Sequence, residues 1–195
     1  MLAPDVYAAS AENGPLRQGE ILSGVVQFQL DVTGLKVIPS KGEAAPLSGI
    51  EHPLLIIVSQ DCDLDWDHKA RCEGKLGNKE LPNVFFCEVV DARQLPVPEP
   101  GFWKKIKTNK EERYHFLQQV PRECDALKEG LPEMAMDFKR CFSIPTPEIY
   151  FQLLGNDKRR CRLVSPYLEH FSQRVGHFHS RVGLQAEHFS EPSQK

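Results

Sequence analysis

Residues 52–67 have the sequence HPLLIIVSQDCDLDWD, and this stretch decides how the fold is interpreted. Residues 53–59 are apolar on both faces of an extended chain, which indicates a central strand of a sheet. Aspartate then occupies every second position from Asp61 to Asp67. In a continued strand these four carboxylates would project to one side. The alternative that we favour is a polar loop whose aspartates cap turns and helix starts.

Other segments also have the composition and periodicity of strands. Residues 20–32 and 113–118 alternate in part between apolar and polar side chains, as half-buried strands do. The 15 prolines and 13 glycines predict that the elements between them are short. The remaining predicted strands are 35–39, 83–91, 133–144 (with a bend) and 159–165.

Two helices have recognisable start signals. Thr146 precedes Pro147, which predicts a capping hydroxyl and a short helix that ends before Gly155. The Ser-Pro pair at residues 165–166 predicts a longer amphipathic helix over residues 166–184. Its apolar stripe consists of Leu168, Phe171, Val175, Phe178 and Val182, and its exposed stripe of His170, Arg174, His177 and Arg181.

The element order predicts a mainly β (α+β) fold. Short strands with one helix inserted late and another at the end are typical of a small curled barrel, not of a Rossmann-type alternation. One domain is expected for 195 residues. We predict a barrel over residues 19–165, a C-terminal helix packed on it over residues 166–184, and flexible tails at 1–15 and 185–195.

The composition restricts the cellular location and the kinds of partner that we expect. No apolar run approaches the length of a membrane-spanning helix, and the N-terminus lacks the features of a signal peptide. We therefore expect a cytoplasmic protein with no membrane contact. Its six cysteines should be reduced thiols. The net charge of -3 argues against a broad basic coat for nucleic acid and leaves a local basic patch open.

The acidic segment at residues 61–67 is a candidate metal site. Counted from Asp61 or Asp63, it lacks both the glycine and the glutamate that an EF-hand loop requires. A looser magnesium site at these two aspartates, joined by His68 in a metal-dependent hydrolase, stays open. A zinc site from Cys62, His68 and Cys72 also stays open, although structural zinc sites usually have tighter spacing. The favoured expectation is that the protein holds no metal and no cofactor.

Cys62 was also a candidate nucleophile, because it follows a buried strand. His68 or His115 would have to activate its thiol. The two aspartates that flank Cys62 disfavour a thiolate, so a buried structural cysteine is the favoured interpretation.

Two basic clusters are candidates for contact with nucleic acid. Cationic side chains beside aromatic ones are suited to single-stranded RNA. The cations bind its phosphates, and its bases stack on the aromatic rings. The alternative is a solvated surface. The first cluster contains Lys104, Lys105, Lys107, Lys110 and Arg113 near Trp103 and Tyr114, and the second contains Lys158, Arg159, Arg160 and Arg162.

The order of these motifs resembles the MazF/PemK toxin family. A Gly-Glu-Ile opening strand at 19–21 is followed by an X-Pro apolar strand at 52–59, an Asp-Phe-Lys-Arg segment at 137–140 and an Arg-Leu pair at 162–163. The sequence is also similar to a group of uncharacterised bacterial proteins with VSQDCD, RYHF and RVGL motifs. The resemblance covers residues 20–184 in outline. It implies a small SH3-like, MazF-like barrel, and by analogy a homodimer.

The departures from that family bear on activity. MazF-like toxins cut RNA without metal, with an arginine before the strand proline, where this chain has His52. They have threonine or serine after the next strand, where this chain has residues 90–92, Val-Asp-Ala. Arginine stabilises a phosphorane-like transition state better than a neutral imidazole does. The resemblance therefore implies a regulatory or binding module of a prokaryotic defence or toxin–antitoxin system, with a protein partner or single-stranded RNA.

A metal-independent endoribonuclease is the alternative. In it, His52 would act as general base, and Arg113 and His115 would stabilise the phosphate. The metal-dependent hydrolase at the acidic segment is the third hypothesis. The residues expected to contribute to binding are Gln60, Asp61, Asp63, Lys104, Lys105 and Tyr114.

Overall fold

The structure is a computed structural model that describes residues 5–31, 46–75, 77–95, 100–155 and 157–181. Within these ranges the strands are β1 (Tyr7–Ala9), β2 (Glu20–Leu30), β3 (Leu47–Ile57), β4 (Asn83–Asp91), β5 (Tyr114–Leu117), β6 (Met134–Pro145) and β7 (Arg159–Leu163). They form an antiparallel sheet in the order β1-β7-β2-β3-β4-β6-β5. The α-helices are α1 (Asp61–Glu73), α2 (Phe102–Lys107), α3 (Thr146–Leu153) and α4 (Tyr167–His179). The predicted mainly β, α+β class is confirmed.

The described strands do not close into the barrel that was predicted over residues 19–165. Strands β1 and β5 are the two edges of the sheet, and the described residues form no ladder between them. These edge strands have only 3 and 4 residues, so they offer few backbone groups for closure. The two edges nevertheless approach each other. The Tyr7 hydroxyl of β1 donates to the carbonyl of Gln118, the residue after β5, at 2.9 Å, which indicates a strongly curled sheet.

The predicted N-terminal tail at 1–15 is also wrong in part. Tyr7 pairs with Leu163 in the β1–β7 ladder, and its side chain is buried. Burial of this large ring stabilises an ordered conformation of the segment. Its strand has only three residues, which is too short to produce a periodic hydrophobic pattern in the sequence. The predicted strand at 35–39 and the tail at 185–195 lie outside the described residues.

The central strand β3 confirms the prediction for residues 53–57. Leu55 and Ile57 pack in one apolar core with Leu64 of α1 and Ile149 of α3, whereas Ile56 packs in a second core with Phe171 of α4. Successive strand residues point to opposite faces, so a strand covered on both sides must be apolar at every position. Helices α1 and α3 thus cover one face of the sheet, and α4 covers the other.

The acidic segment is neither a continued strand nor a loop. It forms α1, which begins after Gln60 and ends at Gly74, whose φ of 65° is left-handed. Asp61 and Asp63 lie in the first turn, where the helix dipole favours negative charge. Side chains two positions apart on a helix are turned by roughly 200°, so the four aspartates do not share one side.

The two predicted helices near the C-terminus are present as α3 and α4. The predicted cap at Thr146 is wrong, because its hydroxyl donates to the Leu81 carbonyl. Within α4, Phe171 is buried, and Leu168, Val175 and Phe178 pack against the same core. The predicted apolar stripe is therefore confirmed as far as the structure describes it. None of the described helices combines the length and the apolar character that crossing a membrane requires.

The expectation of six reduced cysteines is wrong for one pair. Cys87 and Cys141 form a disulfide, because the β4–β6 register sets them directly opposite each other. Their sequence separation of 54 residues hides this pairing from a search for local cysteine motifs. Cys62 is a free thiol and is exposed, so its interpretation as a buried structural cysteine is wrong too.

Candidate functional site

The predicted trio of His52, Arg113 and His115 does not come together. His52 lies on β3 and His115 on β5, with β4 and β6 between them. Three strand spacings correspond to a separation on the order of 14 Å along the sheet. The cavity lined by His52 and the cavity lined by His115 have no residue in common.

Arg113 is held by a buried carboxylate. Its Nε and Nη2 donate to the two oxygens of Asp137, at 3.0 and 2.6 Å. These hydrogen bonds raise the pKa of Arg113. Tyr114 is buried, with its ring edge-on to Phe102 at 6.3 Å, so it is not the exposed stacking surface that the sequence predicted. Arg113 and Tyr114 therefore stabilise the fold at the start of β5.

His115 is buried and neutral. Burial, with smaller contributions from the charges of Arg174 and His170, lowers its pKa to about 3. Its ring lies 5.5 Å from the Phe171 ring and 5.6 Å from the His170 ring. Its Nδ1 has no hydrogen-bond partner among the described residues. A neutral, buried imidazole of this kind cannot supply the positive charge that the predicted phosphate stabiliser needs.

His52 lies in a different setting, a cleft of about 410 Å³. Its Nδ1 is 3.3 Å from Oε1 of Glu88, and its Nε2 is 3.2 Å from Oε1 of Gln27. Its ring stacks on Phe142 with 4.4 Å between centroids. Burial lowers the pKa of His52 more than Glu88 raises it. Arg140 completes the group, because its Nη1 donates to Oε2 of Glu88 at 2.6 Å.

The contact between Glu88 and His52 can orient an acid–base catalyst. A carboxylate on Nδ1 fixes the imidazole and leaves Nε2 as the reactive nitrogen, once the Gln27 side chain moves aside. The lining of the cleft also includes the carboxylates of Glu51 and Asp91. Three acidic groups against one guanidinium give the cleft a negative balance, which opposes an approaching phosphate.

Asp61, which was predicted to contribute to binding, stabilises the fold instead. Asp61 accepts hydrogen bonds from the Gln18 backbone amide and from Arg17 Nη1, both at 3.0 Å. Gln60 and Asp63 are exposed beside it. Within the described ranges, no group of three histidine, cysteine or acidic residues is arranged to hold a metal ion. The magnesium and zinc hypotheses therefore gain no support from the geometry.

The first basic cluster remains on the surface. Lys104 and Lys105 are exposed on α2, and Lys107 pairs with Glu133 at 2.9 Å. Arg174 of α4 donates to the carbonyls of Asn109, Glu111 and Tyr114 and so fastens α4 to the loop between α2 and β5. We call this region the α2–α4 surface and define it by Lys104, Lys105, Lys107, Lys110, His170 and His177.

The second basic cluster is half internal, because Arg159 and Arg160 are buried. Arg159 donates to both oxygens of buried Glu20, at 2.7 and 2.9 Å. Arg160 donates to both oxygens of buried Asp125, at 2.9 and 2.7 Å. These two arginines therefore stabilise the fold, and the prediction that their cluster contacts nucleic acid is wrong for both.

Comparison with models of protein families, with curated proteins and with solved structures found no match for this chain. Two residues from the motifs of the resemblance both contact Glu88. His52 comes from the X-Pro strand and Arg140 from the Asp-Phe-Lys-Arg segment, and Glu88 contacts both. Glu88 and Gln27 were missed by the sequence reasoning. A polar residue inside the otherwise apolar strand at 83–91 was the available signal for Glu88.

Proposed function

We propose that the chain is a MazF/PemK-like module that binds single-stranded RNA in a prokaryotic defence or toxin–antitoxin system. The proposal includes an SH3-like, MazF-like strand arrangement, and the close approach of Tyr7 to Gln118 supports it. A homodimer and a protein partner belong to the same proposal by analogy with that family. The loss of the predicted catalytic trio favours binding over cleavage, because Arg113 is held by Asp137 and His115 is neutral.

The α2–α4 surface carries the proposal. Exposed Lys104, Lys105 and Lys110 lie along one connected stretch of α2 and its following loop. Lysine side chains bind the phosphates of an RNA strand and release its counterions. The adjoining cavity has walls from Phe116 and Tyr167, which suit the stacking of bases. Cations next to accessible aromatic rings are the combination that binding of a single strand requires.

The acidic residues in other parts of the protein also favour RNA binding at the α2–α4 surface. The cleft at His52 is lined by Glu51, Glu88 and Asp91, and the first turn of α1 carries Asp61 and Asp63. These regions repel phosphate. With a net charge of -3, the protein should therefore bind RNA locally and not over its whole surface.

Reversal of two charges tests this proposal. We expect Lys104→Glu/Lys105→Glu to weaken binding of a fluorescein-labelled single-stranded RNA about tenfold or more at low salt, because two attractions become repulsions. Fluorescence anisotropy gives the dissociation constants, and the slope of log K against log salt should become shallower for the variant.

The matched control is Lys75→Glu/Lys79→Glu, which reverses two exposed charges near the end of α1. This variant should keep its affinity within about threefold of the unchanged protein. Equal losses in both variants would indicate an unspecific charge effect and contradict the proposed surface. Capture of a specific protein partner, with no RNA bound at any salt concentration, would overturn the proposal in favour of a protein-binding module.

A metal-independent endoribonuclease is the second candidate, and the contacts of His52 with Glu88 and of Glu88 with Arg140 favour it. His52 Nε2 would take the proton of an RNA 2′-hydroxyl, whose oxygen then bonds to the adjacent phosphorus. The P–O5′ bond breaks, which leaves a 2′,3′-cyclic phosphate and a 5′-hydroxyl that takes a proton from the imidazolium. Arg140 would move from Glu88 to the phosphorane oxygens.

Cleavage in EDTA tests this candidate. We expect His52→Ala to abolish it and Glu88→Gln to slow it, because the imidazole is lost in the first variant and less firmly oriented in the second. His68→Ala, a histidine on α1, is the control and should cut at the unchanged rate. Activity that survives in His52→Ala, or that requires magnesium, would exclude this mechanism.

A further inference from the structure

We propose that the cavity between β5 and α4 is a subsite for one unpaired nucleobase. This inference rests on the proposed RNA binding and deepens it, because it assigns the site at which one base of the RNA is recognised. The cavity has a volume of about 190 Å³, and Tyr7, His115, Phe116 and Tyr167 contribute to its lining.

The chemistry of the lining selects a heterocycle. All four of these side chains are aromatic and carry no charge, so a flat ring can pack against them. The volume lies below the roughly 300 Å³ at which sites for drug-sized ligands begin. One base fits this volume, whereas a dinucleotide is too large.

The unpartnered nitrogen of His115 is the second observation. Buried polar atoms in proteins almost always have a hydrogen-bond partner, so an exception requires a reason. His115 lines the cavity, is 4% exposed, and its Nδ1 lacks a partner among the described residues. The edge of a base carries both donors and acceptors. The Nδ1 atom itself has almost no exposed surface, so the His115 ring must turn before either tautomer of the imidazole can bind a base.

The side chains around the cavity suit an RNA strand that continues past the bound base. Lys107 and His170 also line it, and Asn109 and His170 are shared with a neighbouring cavity of about 390 Å³. That neighbouring cavity is lined by Lys110 and His177, among others. The base would enter the smaller cavity, and the flanking phosphates would lie along the cations of the α2–α4 surface.

Oligonucleotides with and without bases test the subsite. We use a labelled uridine oligonucleotide, its adenosine, cytidine and guanosine counterparts, and an abasic ribose-phosphate chain of the same length. The unchanged protein should bind at least one base-containing strand about tenfold more tightly than the abasic strand. His115→Phe, which fills the cavity and removes the ring nitrogens, should abolish this difference and leave abasic binding unchanged.

The control is His179→Phe, an exposed position on α4 outside the α2–α4 surface, which should keep the preference for bases. Tyr167→Ala is the second variant at the cavity and should reduce the preference even if His115→Phe folds poorly. Equal affinity of the unchanged protein for abasic and base-containing strands would overturn the subsite while the proposed RNA binding stands. Failure to bind any of the strands would overturn both.

Discussion

Replacement of Asp125 by alanine should lower the free energy of unfolding by about 3–5 kcal/mol, because it leaves a buried guanidinium without its main partner. The Asp125 side chain is 0% exposed. Its two oxygens accept hydrogen bonds from Nε and Nη2 of Arg160, at 2.9 and 2.7 Å. Urea denaturation at pH 7, monitored by circular dichroism, measures the change.

Asp125 also organises the chain that follows it. Its carboxylate accepts hydrogen bonds from the backbone amides of Leu127, Glu129 and Gly130. Burial alone would raise the pKa of Asp125, but the hydrogen bonds from Arg160 and from the amides of Gly130 and Leu127 outweigh it and lower the pKa. A carboxyl with a depressed pKa stabilises the fold above its unfolded pKa and loses this contribution as the pH falls through its folded pKa.

Glu129→Ala is the matched control for Asp125→Ala. Glu129 accepts from the same Arg160 at 3.0 Å, but its side chain is 68% exposed, so water replaces the contact. We expect a loss below about 1 kcal/mol. The double replacement Asp125→Ala/Arg160→Met should recover part of the stability, because no uncompensated charge remains. Similar losses in Asp125→Ala and Glu129→Ala would contradict the dominant role of the buried pair.

The strands could be predicted where the alternation or clustering of their buried side chains gives a clear hydrophobic pattern in the sequence. Residues 83–91 were predicted with the bounds of β4, because that strand is rich in β-branched and aromatic side chains and lies between turn residues. The sheet order could not be predicted, since β1 pairs with β7 through three residues only. The acidic segment was predicted to be a polar loop because aspartate is typical of turns and helix caps, although the segment forms α1.

The candidate site was predictable only in part, for a related reason. His52 was identified from its place before the strand proline, but the residues that contact it come from β2, β4 and β6. The contact depends on the register that sets Leu55 opposite Glu88. Local sequence carries no direct signal of register between strands. The same limit explains why Cys87 and Cys141 were predicted as separate thiols.

Acid should destabilise the protein through His115, by about 3 kcal/mol between pH 7 and pH 4. The folded pKa is about 3, because of burial first and of Arg174 and His170 second. The ordinary pKa of histidine is about 6.5, so the unfolded chain takes up a proton over a range of pH in which the folded chain does not. The stability contributed by this residue is therefore complete above about pH 6.5 and is lost as the pH falls toward 3.

His115→Phe isolates this contribution from that of the carboxylates. The variant keeps an aromatic ring against Phe171 and has nothing to protonate at this position, so its stability should fall less steeply between pH 7 and pH 4. At pH 7 it should be at least as stable as the unchanged protein, because it removes a buried nitrogen that lacks a partner. Urea midpoints at several pH values measure both effects. Parallel pH profiles for the two proteins would mean that His115 titrates alike in the folded and unfolded chains, and that water reaches the ring from the cavity beside it.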